Sequence, residues 1–204
     1  MIIYVNGDSH SAGAELIKDY CFANDDQRYV YLGRTPHPEA IPKTFGSHLA
    51  HALNAGYFLD AESASSNYRI LRTTKQFLEE KYSTTKTIII GWSTWEREEL
   101  WHKDRYYQLT ASGSDSVPNE LFDTYQSWVM EQTQDKLREK QEYWHKQIYS
   151  FHNELTESNI KHLFFNSMHA FDKEWTGEVD WQDCYIEPYN KDWTYSDWAS
   201  NQGF

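Results

Sequence analysis

The sequence predicts an α/β protein, a three-layer α/β/α sandwich on a mainly parallel sheet. Three observations lead there. Four short, largely apolar runs of strand length recur: Ile2 to Val5, Tyr57 to Leu59, Thr87 to Ile90 and His162 to Phe165. Stretches with helical spacing separate them. The first and third runs are apolar without alternation, as in strands covered on both faces. Strands that alternate with helices favour a parallel sheet with helices on each side.

The elements follow in order. Ile2 to Val5 is the first strand, and it stops at Asn6-Gly7-Asp8-Ser9. Ala12 to Tyr20 reads as a short helix. Asp25 to Pro42 carries Gly33, Pro36, Pro38 and Pro42, and reads as loop. Thr44 or Ser47 caps a helix that runs through Leu53. Tyr57 to Leu59 is the second strand. Ser63 to Ser66 is a small polar loop before a helix over Asn67 to Tyr82, with Ile70, Leu71, Phe77 and Leu78 on one side. The third strand ends at Gly91. Trp92 to Tyr107 is aromatic and charged, and Thr110 to Pro118 is a loop rich in Ser, Gly and Asp.

The longest helical pattern runs from Asn119 to about Ser158, with Phe122, Tyr125, Val129, Leu137, Trp144, Ile148, Phe151 and Leu155 near helical spacing. Its charged positions read as a solvated face. His162 to Phe165 is the last strand. From Asp172 onward the chain is polar, aromatic and irregular. No internal repeat or low-complexity tract occurs. The order of elements gives a flavodoxin-like sheet in one domain over 1–204. In such sheets ligands bind at the carboxyl ends of the strands. Three such ends carry suggestive residues: Gly7-Asp8-Ser9, Ser63 to Asn67, and Gly91 to Thr94.

Composition narrows the function. The chain has 204 residues and a net charge of -12, which argues against a nucleic-acid or anionic-membrane partner. No run is long enough for a membrane span, and no basic and apolar leader precedes the first strand. These features favour a cytoplasmic or virion-associated protein without a signal peptide. Cys21 and Cys184 lack metal-ligand spacing and read as free thiols. The 9 Trp and 15 Tyr fill a core, with some free to wall a sugar-binding cleft.

His48 and His51 lie one helical turn apart, without an evident third metal ligand. No phosphate-binding glycine loop occurs, so neither a metal nor a nucleotide cofactor is expected. Trp92, Trp95 and Trp101 suit either a cleft wall or a packed, ion-paired segment. Asn67 and Arg69 suit either loop ordering or substrate contact.

Ser9 has two chemical readings. A Ser between a strand and a helix caps the helix. It also serves as a nucleophile where amides can hold an oxyanion. Asn6-Gly7-Asp8-Ser9-His10-Ser11-Ala12-Gly13 resembles the first block of the SGNH (GDSL-like) hydrolases, which carries the nucleophilic Ser. Ser63-Ala64-Ser65-Ser66-Asn67-Tyr68-Arg69-Ile70 resembles the second block, with Ala64 where the family has a Gly whose amide binds the oxyanion. Ile88-Ile89-Ile90-Gly91-Trp92-Ser93 resembles the third, with Ser93, beside Thr94, in place of the oxyanion-binding Asn.

The resemblance implies a serine esterase with Ser9 as nucleophile and with Ser9, Ala64 and Ser93 as oxyanion donors. Asp8, Asn67 and Thr94 would support them. The implied substrate is a small-molecule or carbohydrate ester, such as an O-acetylated sugar. The family's fourth block, Asp-x-x-His, supplies the general base, and no Asp-x-x-His occurs here. His169 directly follows the last strand, too early in the order. Glu99 with His102 and Glu142 with His145 have the spacing but read as helix-surface pairs. The expectation is therefore a domain truncated before its His block. The alternatives are a base from His10 or a partner chain, or an inactive SGNH fold that serves as a structural or glycan-binding protein, for instance in a phage particle.

Overall fold

The structure is a computed structural model that describes residues 1–16, 35–80, 86–111 and 117–203. Strand β1 (Ile2–Asn6) leads into a one-turn helix, α1 (Ser9–Ala12). Helix α2 (Phe45–Ala52) precedes β2 (Gly56–Leu59), and α3 (Asn67–Glu79) precedes β3 (Lys86–Trp92). A hairpin of β4 (Glu98–His102) and β5 (Arg105–Leu109) follows. Then come α4 (Phe122–Met130), α5 (Gln134–Glu157), β6 (Lys161–Asn166) and α6 (Tyr195–Asn201).

The main sheet is parallel throughout, in the order β2-β1-β3-β6. Alternate side chains face opposite layers, as strand geometry requires. Tyr4, Ile88, Ile90, Trp92 and Phe164 pack with Ile70 and Phe77 of α3 and with Trp144, Ile148, Phe151 and Leu155 of α5. Ile3, Val5, Ile89 and Phe165 face the other way, onto Phe45 and Ala50 of α2 and Tyr195 of α6. This is the expected three-layer, flavodoxin-like arrangement. Among the described residues no helix is long and apolar enough to cross a membrane.

Local signals explain most boundaries. Thr44, not Ser47, caps α2, its hydroxyl accepting from the Ser47 amide. Ser66 caps α3 in the same way, through the Arg69 amide. Two expectations are corrected. The single helix over Asn119 to Ser158 is a short 3-10 turn, α4, a break at Glu131 to Thr133, and α5. Thr133 re-caps the chain there, accepting from the Lys136 amide, so a new axis starts while the apolar spacing continues. The segment after Gly91 holds a hairpin whose two-residue turn, Lys103-Asp104, has φ of 46° and 61°. Paired positive φ values are what tight hairpins need, and Lys-Asp does not advertise them. Where a helix was expected over 12–20, the α-helix spans 9–12 and so reaches only the first residue of that range, and 14–16 form a 3-10 turn. The remainder, much of the 25–42 loop and Cys21 lie outside the described residues.

Candidate functional site

The sheet order places its topological switch between β1 and β3. The chain leaves β1 for β2 on one side and returns to β3 on the other. Ser9 follows β1 and Ser93 follows β3, so both stand at the crevice where such sheets bind ligands.

The capping question has a direct answer. Asp8, not Ser9, is the N-cap of α1, and its side chain accepts from the His10 amide. Ser9 is the first helical residue and is partly exposed. Among the described residues nothing is hydrogen-bonded to its hydroxyl or its amide.

Gly7 and Gly91 let α1 approach the sheet this closely. A Cβ on Gly7 would lie 2.4 Å from Ser11 Oγ and 2.9 Å from the Gly91 carbonyl oxygen. A Cβ on Gly91 would lie 2.7 Å from both Phe165 and Ser11 Oγ.

Asp8 is fully buried and organises the centre. One carboxylate oxygen accepts from the His10 amide and faces His10 Nδ1 at 3.2 Å. The other accepts from Ser93 Oγ at 3.1 Å and from Arg97 Nη1 at 3.4 Å. Arg97 Nη1 also donates to Ser93 Oγ at 2.8 Å. Burial alone would raise the Asp8 carboxyl. The hydrogen bond and charge of His10, with the charge of Arg97, outweigh it and hold the group below its ordinary value.

That shift has a sign and a window. Folded Asp8 gives up its proton more readily than unfolded Asp8. Its contribution to stability is therefore full above the ordinary value of 3.8 and is lost as pH falls through the lowered folded value. Asp8→Asn is expected to reduce the fall in urea midpoint between neutral pH and acid below that range. An equal acid dependence in the two chains would refute this account.

The second block is pinned to the first. The Glu62 amide donates to the Gly7 carbonyl at 3.2 Å, and the Asp60 amide to Val5 at 2.9 Å. Ala64 has a φ of 62°, the left-handed conformation that a Gly adopts without strain. Its amide, like that of Ser9, has no acceptor among the described residues. Asn67 is committed to structure. Its Oδ1 accepts from the Ser93 amide at 2.8 Å, and its Nδ2 donates to the Ser93 carbonyl at 3.1 Å. Arg69 is likewise committed, to the Asp60 carboxylate and carbonyl and to Glu62.

Asn67→Ala is expected to lower stability by about 1–3 kcal/mol, because it strands the buried Ser93 amide and carbonyl. A thermal melt reads the loss. An unchanged melt would mean that the clamp contributes nothing.

The remaining candidates separate. Ser93 directs its one hydroxyl proton to Asp8, so in this arrangement that proton is not free for a ligand. Thr94 orders its own turn, accepting from the Glu96 amide. Trp92 is core, whereas Trp95 lines a hollow of about 470 Å³ with Glu96, Arg138 and His169. Trp101 lies exposed on the hairpin.

The two spaced Glu/His pairs are not helix-surface pairs. Glu99 and His102 are on β4, bonded to Arg72 and Glu120 respectively. Glu142 pairs with Lys146, while His145 is buried against the Tyr189 hydroxyl. His169 packs on Trp95, with Nε2 3.9 Å from Glu96. His10 is turned to Asp8 and the Tyr195 ring.

Sequence reasoning did not single out Arg97 for the site. Its one signal was a cation four residues after Ser93, and only the bend out of β3 brings it onto Asp8. Comparison of the chain with family models, with curated proteins and with solved structures found no match.

Proposed function

We propose that this protein is an SGNH-like serine hydrolase that cleaves a carboxylic ester at Ser9. The observation that carries the reading is the convergence of three separate blocks at the switch between β1 and β3. Ser9 stands past β1, Ala64 on the loop bonded to Gly7, and Ser93 past β3.

Ser9 Oγ attacks the acyl carbon, and the carbonyl oxygen becomes an oxyanion. The amides of Ser9 and Ala64 are the donors for it, both without acceptors among the described residues. The Arg97 guanidinium, held by Asp8 and Ser93, adds positive charge beside them. Collapse expels the alcohol and leaves an acyl-serine, which water hydrolyses. Trp95, two residues beyond Ser93, walls a polar hollow with Glu96 and Arg138, and this is the reason for choosing a carbohydrate ester such as an O-acetylated sugar. A cytoplasmic or virion-borne setting belongs to the same reading.

The chemistry requires an imidazole to take the Ser9 proton. Among the described residues none is hydrogen-bonded to Ser9 Oγ. That observation, with the Ser93 proton spent on Asp8, favours the second reading: a non-catalytic, glycan-binding or structural SGNH-like module. Intact-mass spectrometry of the native protein after a fluorophosphonate probe separates the two. One adduct, mapped to Ser9 by peptide mass, supports the hydrolase. Absence of any adduct at Ser9 favours the binding module.

A further inference from the structure

The far end of the sheet holds a second constellation that the Ser9 chemistry does not use. His152 is on α5, His162 on β6, and Cys184 on the strand-like segment beside β6. One ligand atom from each lies within 4.8 Å of the other two. His162 pairs with Ile88, four residues before the carboxyl end of β6 at Asn166. Ser93 is one residue beyond that end, so at strand rise the cluster lies about 16 Å from the level of Ser93.

We propose that His152, His162 and Cys184 form a transition-metal site, suited first to Zn²⁺.

The tautomers argue for it. His162 Nδ1 lies 2.9 Å from the Ile160 carbonyl oxygen, to which it donates its proton. Its Nε2 lone pair is thereby left facing His152 Nδ1 at 2.8 Å. A ligating histidine is commonly oriented in this way, by a backbone carbonyl on its other nitrogen. In the metal-free protein the His152 proton must sit on Nδ1 to make the contact. Among the described residues His152 Nε2 is then a buried nitrogen without a well-formed hydrogen bond, with the Asp180 backbone as its only approaching partner. His152 has no exposed surface at all. A buried polar atom so poorly paired is costly, and two core imidazoles alone leave it so.

A metal ion resolves the pair. It takes the place of the shared proton, bound by His162 Nε2 and His152 Nδ1. The His152 proton moves to Nε2, on a ring close enough to Asp180 to feel its charge. The Cys184 thiol binds as thiolate and releases one proton to solvent. Two nitrogens at ordinary zinc distances in a tetrahedron stand about 3.3 Å apart, so the imidazoles separate by about half an ångström.

Cys184 is held in reach by its own backbone. Its carbonyl accepts from the Phe164 amide at 2.8 Å, and its amide donates to Trp181 at 2.8 Å. Its side chain is partly exposed and supplies the way in. Two imidazoles and a thiolate are a donor set for Zn²⁺ and for its spectroscopic substitute Co²⁺, with a fourth position left to water.

Co²⁺ titration of the chelator-treated full chain tests the proposal. The expected result is one Co²⁺ per chain with a sulfur-to-cobalt charge-transfer band, displaced by Zn²⁺. Cys184→Ser removes the band with an unchanged circular dichroism spectrum, while Cys21→Ser keeps it. Zn²⁺ at about a hundred times its Kd raises the Tm of the wild-type chain by about 5–10 °C and leaves Cys184→Ser unmoved. No thiolate band, or a band that survives Cys184→Ser, overturns the site. Ser9→Ala leaves metal binding intact.

Discussion

Ser9→Ala is expected to abolish fluorophosphonate labelling and to lower ester turnover by at least about 10⁴-fold. Removal of a nucleophile that acts with a base as a unit loses nearly all of their joint effect. The substitution deletes one partly exposed oxygen that has no hydrogen bond among the described residues. The Tm should therefore stay within a degree or two, and the loss will be chemical. Free imidazole added to the assay separates two causes of low activity. If the Ser9 base is what limits the chain, imidazole speeds aryl acetate turnover by the wild type beyond the rate that imidazole alone gives, while Ser9→Ala shows only that background. Equal turnover in the two chains at every imidazole concentration would end the hydrolase reading.

Gly7→Ala should be the most damaging Gly→Ala change among the described residues. Its φ of 155° lies where L side chains rarely sit. The new Cβ would meet Ser11 Oγ at 2.4 Å and the Gly91 carbonyl oxygen at 2.9 Å. Backbone strain and overpacking each cost about 1–3 kcal/mol, so the expected loss is about 2–5 kcal/mol. In a chain of this size that lowers the Tm by about 5–15 °C. Ser11→Gly in the same chain should recover part of the loss, because it removes the softer of the two clashes. The Gly91 oxygen belongs to β3 and cannot yield without moving the sheet. A Gly7→Ala chain as stable as wild type would show that α1 does not pack as closely as described.

Strand existence and the parallel, covered sheet were legible because both depend on local pattern. Ile2 to Val5 and Ile88 to Ile90 are apolar on both faces, and only a sheet buried on both sides uses such runs. The polar strand ends were legible for the same reason: Asn6-Gly7-Asp8-Ser9 and Gly91 to Thr94 are where apolar character stops. The caps at Thr44 and Ser66 are one-residue signals with a known hydrogen bond behind each.

The break between α4 and α5 was not legible. Its apolar spacing runs on across the turn, and a redirected helix axis leaves no mark on periodicity. The β4-β5 hairpin was missed because its turn is Lys-Asp, which sequence alone does not mark for positive φ.

What each residue of the centre does was decided by the tertiary structure. From sequence, Ser9 was the residue read as a cap for the first helix. Burial gave the cap to Asp8, which could enter the interior only with His10, Ser93 and Arg97 around its charge. Arg97 and Asp8 are 89 residues apart, and no local pattern links them. The same holds for His152, His162 and Cys184, brought together by a helix, a strand and a returning segment. Periodicity fixes which face a side chain takes. Which distant side chain it meets there is set by the sheet order, and that order is a property of the whole fold.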